Sequence, residues 1–367
     1  MNNRLINASF KIAPGVKTIF INENDIYQDG TLPAWRDGDG MLWALSGHTH
    51  LGHIGVFSGQ SLGDMEELYR LQTNFVCGRA GNAFDRVKYP EGVMPRGSIW
   101  PFGLWIHEKT GRFYAFFHNE TGWNAGNTGY TAFGKFQGEP DFRHIGLMHS
   151  DDQGRTWDFN RWVLTSYEIC YTELYRPDGL MDGGQKEGII CLGAGDFSIF
   201  VAPDEKYLYI FYTMLRYDMT LKNIISSDVY VARTEIREDG RIGDFIKFYN
   251  GQFCQPGNMG KEEIIVQDAW HPHIVYSSVL NCYIMSSTGW KSFRDGKDAL
   301  TLRTSDDLIN WSEPIFVPGE GERFKKPYFS IINSGESGAH NIIGDRFTIL
   351  VCHNGTDLMR YDTIMEL

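Results

Sequence analysis

Residues 198–234 decide the reading of this chain. SIFVA (198–202) is a β-rich stretch, PDEK (203–206) a tight polar turn, YLYIFYT (207–213) an apolar run of strand length, and DVYVART (228–234) an alternating segment. Two strand-like runs joined by a turn read as a hairpin, and a third run extends it into a meander. The same order recurs four more times. LWALSGH (42–48), FYAFFHN (113–119), CYIMSST (282–288) and FTILVCH (347–353) each follow a turn, at Asp37–Gly40, Glu108–Gly111, Ser277–Ser278 and Gly344–Arg346. HIGVFSG (53–59), HIGLMHS (144–150), ALTLRTS (299–305) and LMRYDTI (358–364) then supply the third strand.

Five repeats in 367 residues leave roughly 73 residues each, enough for a four-stranded blade with long loops. The expected fold is all-β: a five-bladed β-propeller with four-stranded antiparallel blades around a central axis. It is expected to form one domain over 1–367, with blades near 17–65, 95–165, 195–250, 268–318 and 328–367. Nothing in the sequence supports a long amphipathic helix. Two third strands run into related turns, Ser150–Trp157 with the S-x-D-x-G-x-T-W pattern of an Asp box, and the shorter Ser305–Trp311. Their Ser and Asp are expected to bind the turn's own amides, with the Trp packed between sheets.

Composition narrows the partners. The chain is 42% hydrophobic and 22% charged, which suits a large buried core. Its net charge is −12, and no Lys/Arg-rich tract stands out, so a nucleic-acid partner is not expected. No run of 18 apolar residues marks a transmembrane helix, so no membrane partner is expected either. The opening MNNRLINASFKIAPG has no apolar signal core; a cytoplasmic protein is expected as written, or a secreted or periplasmic one if a leader has been removed. The six cysteines, at 77, 170, 191, 254, 282 and 352, form no CxxC and read as buried thiols. A neutral saccharide is the partner this balance favours, and the oligomeric state is left open.

Propeller topology sorts the remaining polar residues. Turns between the first and second strands, and between the third and fourth, fall on one face, which places Asp37, Asp39, Asp151, Asp152 and Asp204 away from the axial pocket. Second-to-third and blade-to-blade connections lie on the other face, where the long segments 60–98, 119–142, 165–195, 250–270 and 318–339 are found. Long ordered loops on a rigid scaffold are where binding and catalytic groups concentrate.

On these segments the chain resembles the five-bladed glycosidases of glycoside hydrolase family 43 and its relatives. Gly195–Val201 with Asp204–Tyr209 resembles the family's D-P-S-[VI]-F-V…D-G-K-x-Y-L inner strand. Pro272-His273-Ile274 is similar to the P-H-I that follows the family's general acid, and Ser337–Asn341 to its G-P-G-H-N segment. The resemblance implies a glycosidase acting by inversion, with Asp196 in the place of the orienting, pKa-modulating Asp. It also implies that His340 sits on the axis as a candidate for contact with a metal ion through water. No cofactor is required, although a structural Ca or other ion near the axis fits the resemblance. The family's base and acid positions are occupied by Leu32 and Trp270. Leu32–Trp35, Asp39-Gly40 and Leu42–Ala44 are also similar to the opening of sialidases, but Thr31 replaces their carboxylate-gripping Arg and five blades are one too few.

Glycoside hydrolysis needs a proton donor and an ionised group facing each other across the scissile bond. The top-face candidates are Asp196, Asp29 as a displaced base, Asp268 or His271 as a displaced acid, and the loop carboxylates Glu120 and Glu173. Trp100, Trp123 and Trp270 are candidate sugar platforms, joined by His273, His50 and Arg96 as candidate substrate contacts. His48, His50 and His53 cluster on a Gly-bounded turn and read as pocket histidines or a metal site. The empty family positions equally admit a non-catalytic carbohydrate-binding propeller. A phosphorolytic or sialidase-like sugar enzyme is the remaining alternative.

Overall fold

The computed structural model describes residues 2–18, 29–48, 54–73, 98–120, 142–168, 188–333, 340–353 and 357–367. Glu173, Trp123, His50, His53 and Arg96 lie outside these residues. The described chain is all-β, with one five-residue helix, α1 (Trp290–Arg294).

The strands fall into antiparallel meanders. β1 (Ser9–Ile12) and β2 (Val16–Lys17) belong with the last of these. β3 (Ala34–Arg36), β4 (Leu42–Gly47), β5 (Ile54–Gly59) and β6 (Glu66–Arg70) form the first, and the short β7 (Gln72–Thr73) pairs with β11. β8 (Ser98–Ile106), β9 (Phe113–Glu120), β10 (Arg143–Ser150) and β11 (Thr156–Leu164) form the second. β12 (Ile189–Val201), β13 (Tyr207–Asp218), β14 (Asn223–Glu235), β15 (Ile246–Tyr249) and β16 (Gln252–Pro256) form the third, joined to the second by one parallel pair, Arg143 opposite Gly193. The fourth holds β17 (Ala269–Ser277), β18 (Cys282–Gly289), β19 (Leu300–Ser305) and β20 (Ile315–Phe316). The last holds β21 (Phe329–Ile332), β23 (Arg346–His353) and β24 (Asp357–Glu366), while β22 (Ile342–Ile343) crosses to pair with β17. β1 runs antiparallel to β24, so the N-terminal segment completes the last sheet, a pairing the hairpin pattern did not anticipate.

Strand alternation explains how the sheets pack. On β13, Leu208, Ile210, Tyr212 and Met214 enter a core shared with the second sheet, while Tyr209 and Phe211 enter a core shared with the fourth. On β4, Trp43 and Leu45 face the second sheet, and Leu42 and Ala44 face the last. Five such cores follow in order, and the one containing Leu32, Phe57, Ile332 and Leu350 joins the last sheet to the first.

The turn after β10 behaves as its sequence requires. Asp152 Oδ1 accepts the Thr156 N–H at 2.9 Å and Oδ2 accepts the Thr156 hydroxyl at 2.6 Å, while the Ser150 hydroxyl accepts the Gly154 N–H. Trp157 is buried and donates its indole N–H to Gly154 O. Asp307 holds the 305–311 turn in the same way through the Ile309 and Asn310 amides. Asp152→Ala is expected to lower stability by about 1 kcal/mol, the net worth of such hydrogen bonds, without changing any activity. Urea unfolding of the variant checks this.

Candidate active site

Three of the innermost strands are interrupted at the same level. β8 slips register between Pro101 and Gly103, β12 between Gly195 and Phe197, and β17 between Trp270 and His273. The residues thrown out of the ladders include Phe102, Asp196 and His271. A bulge bends its strand and redirects one side chain, and such bulges gather beside active sites. Asp196 (φ 41°) and His271 (φ 52°) both hold the left-handed conformation, as does Tyr328 (φ 71°) just before β21. Each costs a non-glycine residue on the order of 1–3 kcal/mol.

The redirected side chains meet around a buried ion cluster. Arg143, at the start of β10, pairs with Asp196 through one guanidinium nitrogen and with Glu120 Oε1 at 2.7 Å through the other. His118 lies between the carboxylates, 3.6 Å from Glu120 Oε1 and 3.8 Å from Asp196 Oδ1. The Asp196 N–H donates to His118 Nδ1 at 3.0 Å, which places the proton of the neutral imidazole on Nε2, toward Glu120. Trp270 donates its indole N–H to Asp196 Oδ2 at 2.8 Å. Gly195 is required here: a Cβ would stand 2.7 Å from Arg143 Cδ and 3.0 Å from His118 Nδ1.

Burial works against ionisation of Asp196, but Arg143, helped by His118, His271 and the Trp270 N–H, overrides it and holds the carboxyl at about 2. Asp196 is therefore a permanent anion and not a proton donor. His271 is also buried, with Nε2 2.9 Å from the Thr31 hydroxyl and its ring edge-on to Phe102 and Tyr328. Burial, only partly opposed by the Asp196 charge, lowers it to about 4, so it carries no proton to give as an imidazolium at neutral pH. Gly30 presses onto the same two rings; a Cβ there would meet Phe102 Cε1 at 2.0 Å and His271 Cε1 at 2.8 Å.

Asp268 is not in the cluster. Its Oδ1 accepts the Lys291 N–H at 3.1 Å at the start of α1, and its own N–H donates to Asp228 Oδ1 at 3.1 Å. Asp228, half-buried on β14, has its carboxyl pKa raised, pushed up by desolvation and by the neighbouring Asp268 charge. Asp29 is half-buried, and its charge helps raise the Tyr328 hydroxyl, which places it on the Tyr328 side of the cluster.

The binding candidates divide. Trp270 is half-buried and sits among Trp290 (5.4 Å), Phe293 (5.6 Å) and Tyr328 (4.9 Å), an aromatic wall beside Asp196. Trp100 is only 3% exposed and stacks on His48 at 4.9 Å, so it packs the interior and offers no sugar platform. His273 and His340 line an axial cavity of about 20 Å³ with Leu32 and Phe102, space for a single water and not for a sugar. Enclosure holds both rings at about 3. His340 is flanked by Trp35, His273 and the charge of Arg36, which is not the setting of a cation site.

Among the described residues, one group of donors meets metal-ligand spacing: His118, Glu120 and Asp196, within 4.8 Å of one another. The set does not fit a divalent cation. Arg143 already pairs with both carboxylates, and His118 Nδ1 already accepts an amide proton. Arg143, His118, Tyr328 and Asp228 were missed in the sequence, although the polar ends of two strand runs, His118–Glu120 and Arg143-His144, were there to be read.

No family model matches the chain, and no curated protein matches it in sequence. Its fold does match solved structures. A family 117 glycoside hydrolase, Zg3597, from Zobellia galactanivorans is similar with a TM-score of 0.50 and 11% identity, covering 99% of this chain and 92% of that one. An α-L-arabinofuranosidase from Lactobacillus brevis aligns with a TM-score of 0.49 and 14% identity over 95% and 94% of the two chains. A thermostable family-43 glycoside hydrolase aligns at 0.46 and 14% over 94% and 91%. By their names these three are a family 117 glycoside hydrolase, an arabinofuranosidase and a family-43 glycoside hydrolase, and another similar structure is an N-acetylgalactosamine deacetylase.

Proposed function

We propose that the chain is a glycoside hydrolase folded as a single five-bladed β-propeller, acting on a neutral or pentose-containing saccharide at the end of the axis where Asp196 lies. The observation that carries this reading is the coincidence of register bulges on three inner strands. They deliver Phe102, Asp196 and His271 to one place, beside the buried Glu120 carboxylate and Arg143 guanidinium. Buried charge of that kind is weak support for stability, so a fold that retains it at strained residues points to use. In this reading Asp196 stays ionised and orients the substrate. Asp228, whose carboxyl holds its proton to higher pH, is the proton donor, and Asp29 is the base that activates water. Trp270 and its aromatic neighbours form the platform for a sugar face.

The second reading is a non-catalytic carbohydrate-binding propeller. One observation favours it: Leu32, at the base position of family 43, is 3% exposed in the core between the last and first sheets.

The test is hydrolysis of an aryl-glycoside and oligosaccharide panel by the wild-type chain and by Asp228→Asn, with saccharide binding measured calorimetrically in parallel. Turnover by the wild type, reduced at least 100-fold in kcat in Asp228→Asn with binding retained, is expected if Asp228 is the acid. Binding without product supports the second reading. Neither binding nor product overturns both.

A further inference from the structure

A second site lies at the opposite ends of the same strands. The segment through β3 begins at Thr31, beside His271, and ends at Arg36; the segment through β21 begins at Tyr328, on the same cluster, and ends at Asn333. Arg36 and Asn333 line a cavity of about 790 Å³ in the seam between the first and last sheets. Five residues of extended chain span about 16 Å, so this cavity is separate from the Asp196 cluster. Its volume is within the range of small-molecule sites.

The lining has the wrong charge for the rest of the molecule. Against a chain of net charge −12, it presents Lys11, Arg36, Arg346 and Arg360 and one carboxylate, Asp362. Lys11 is paired with Glu366, and Asp362 accepts the Thr348 hydroxyl. Arg36 donates to Gly40 O and Gln60 O. Arg346 and Arg360 form no ion pair among the described residues, and Arg360 Nε is buried with no hydrogen-bond partner. Leaving a guanidinium donor dry and unmatched is costly, and planar two-point recognition of an oxyanion is what that group does best. Gly63 keeps the 61–64 turn close to it; a Cβ there would be 3.0 Å from an Arg360 terminal nitrogen. Leu42, Leu62 and Phe347 add apolar wall to the same cavity.

We propose that this seam cavity binds a compact small molecule bearing an oxyanion (carboxylate, sulfate or phosphate), gripped by Arg360 and Arg346 while its body rests on Leu42, Leu62 and Phe347. The site is independent of saccharide hydrolysis at the axis, and its ligand differs in charge from the neutral sugar proposed there.

The experiment is calorimetric titration of the full chain with inorganic phosphate, sulfate, glucuronate and, as the neutral control, glucose, at constant ionic strength. Saturable one-to-one binding of at least one of the three oxyanions is expected, weakened at least tenfold in Arg360→Met and in Arg346→Gln. Comparison of the three identifies which oxyanion the site prefers. Arg346 is exposed, so its variant keeps the test decisive if Arg360→Met fails to fold. The proposal is overturned if no oxyanion binds saturably, if glucose displaces the bound oxyanion, or if Arg346→Gln binds as the wild type does.

Discussion

Acidification from pH 7 to about 5 is expected to unfold this protein cooperatively. Four imidazoles are buried in the structure, His118, His144, His271 and His340, and a fifth, His273, is half-buried against the axial cavity. Burial lowers all of them, to about 4 for His271, to about 3 for His144, His273 and His340, and well below the usual value for His118. A folded pKa below the unfolded value of about 6.5 means that the unfolded chain binds protons which the folded chain refuses. The neutral rings therefore contribute their full stabilisation above pH 6.5 and lose it as the pH falls from 6.5 toward the folded values. Each imidazole changes stability by about 1.4 kcal/mol per pH unit in that window, and five acting together by about 7. A domain of this kind has about 5–15 kcal/mol in total, so the set exhausts it within roughly two pH units. Asp196 is also stabilising in its charged form, but its contribution disappears only between about pH 4 and 2, after the histidines have acted. Far-UV circular dichroism and tryptophan fluorescence across pH 7 to 4 measure the transition. A chain fully folded at pH 4.5 contradicts this account, and His144→Phe is expected to lower the steepness of the transition by removing one proton from it.

The strands were legible because the packing demands a period of two on both faces. YLYIFYT (207–213) places alternate residues into two different cores, and that double burial is why its apolar run is nearly unbroken. The turns were legible for a local reason: Asp152 and Asp307 bind amides within four residues of themselves. The closure of the last sheet by β1 was not legible, since Ser9–Ile12 meets Thr363–Glu366 only through the fold. The site was half legible. Asp196 was found from the resemblance of Gly195–Val201 to a known inner strand, but its partners come from β9 and β10, and no spacing along the chain links residues 118, 120, 143 and 196. The bulges that aim Phe102 and His271 depend on strand register, which a hydrophobic pattern does not record. Trp100 and His273 failed as substrate contacts for a related reason: an aromatic ring on an inner strand reads the same whether it faces the pocket or a neighbouring sheet.

Arg143→Met is expected to be the most damaging single substitution in the candidate site. Arg143 is 7% exposed and is the cation shared by Asp196 and Glu120. Methionine keeps much of the volume but leaves two buried carboxylates whose nearest donor atoms lie within 4.8 Å of each other. Removing one partner of a buried ion pair costs about 3–5 kcal/mol, because the remaining charge is neither solvated nor matched. The chain has one escape: one of the two carboxyls takes up a proton, since like charges at that separation do not both stay ionised in a dry site. The variant is therefore expected to lose stability most strongly near pH 8 and to recover part of it toward pH 6.5, before the buried histidines begin to titrate. Wild type has no such recovery, because Arg143 holds Asp196 ionised throughout. Adding Glu120→Gln to Arg143→Met removes one of the two stranded charges and should restore at least 1 kcal/mol at pH 8, on the order of what an unsatisfied buried group costs. Lysine at 143 keeps the charge but not the fork that reaches both carboxylates, so Arg143→Lys is expected to fall between wild type and Arg143→Met. Urea unfolding of the four proteins at pH 8 and 6.5 decides the matter. A loss under 1 kcal/mol in Arg143→Met, or no gain on adding Glu120→Gln, means that the cluster is solvated and that Asp196 is not fixed as an anion by Arg143.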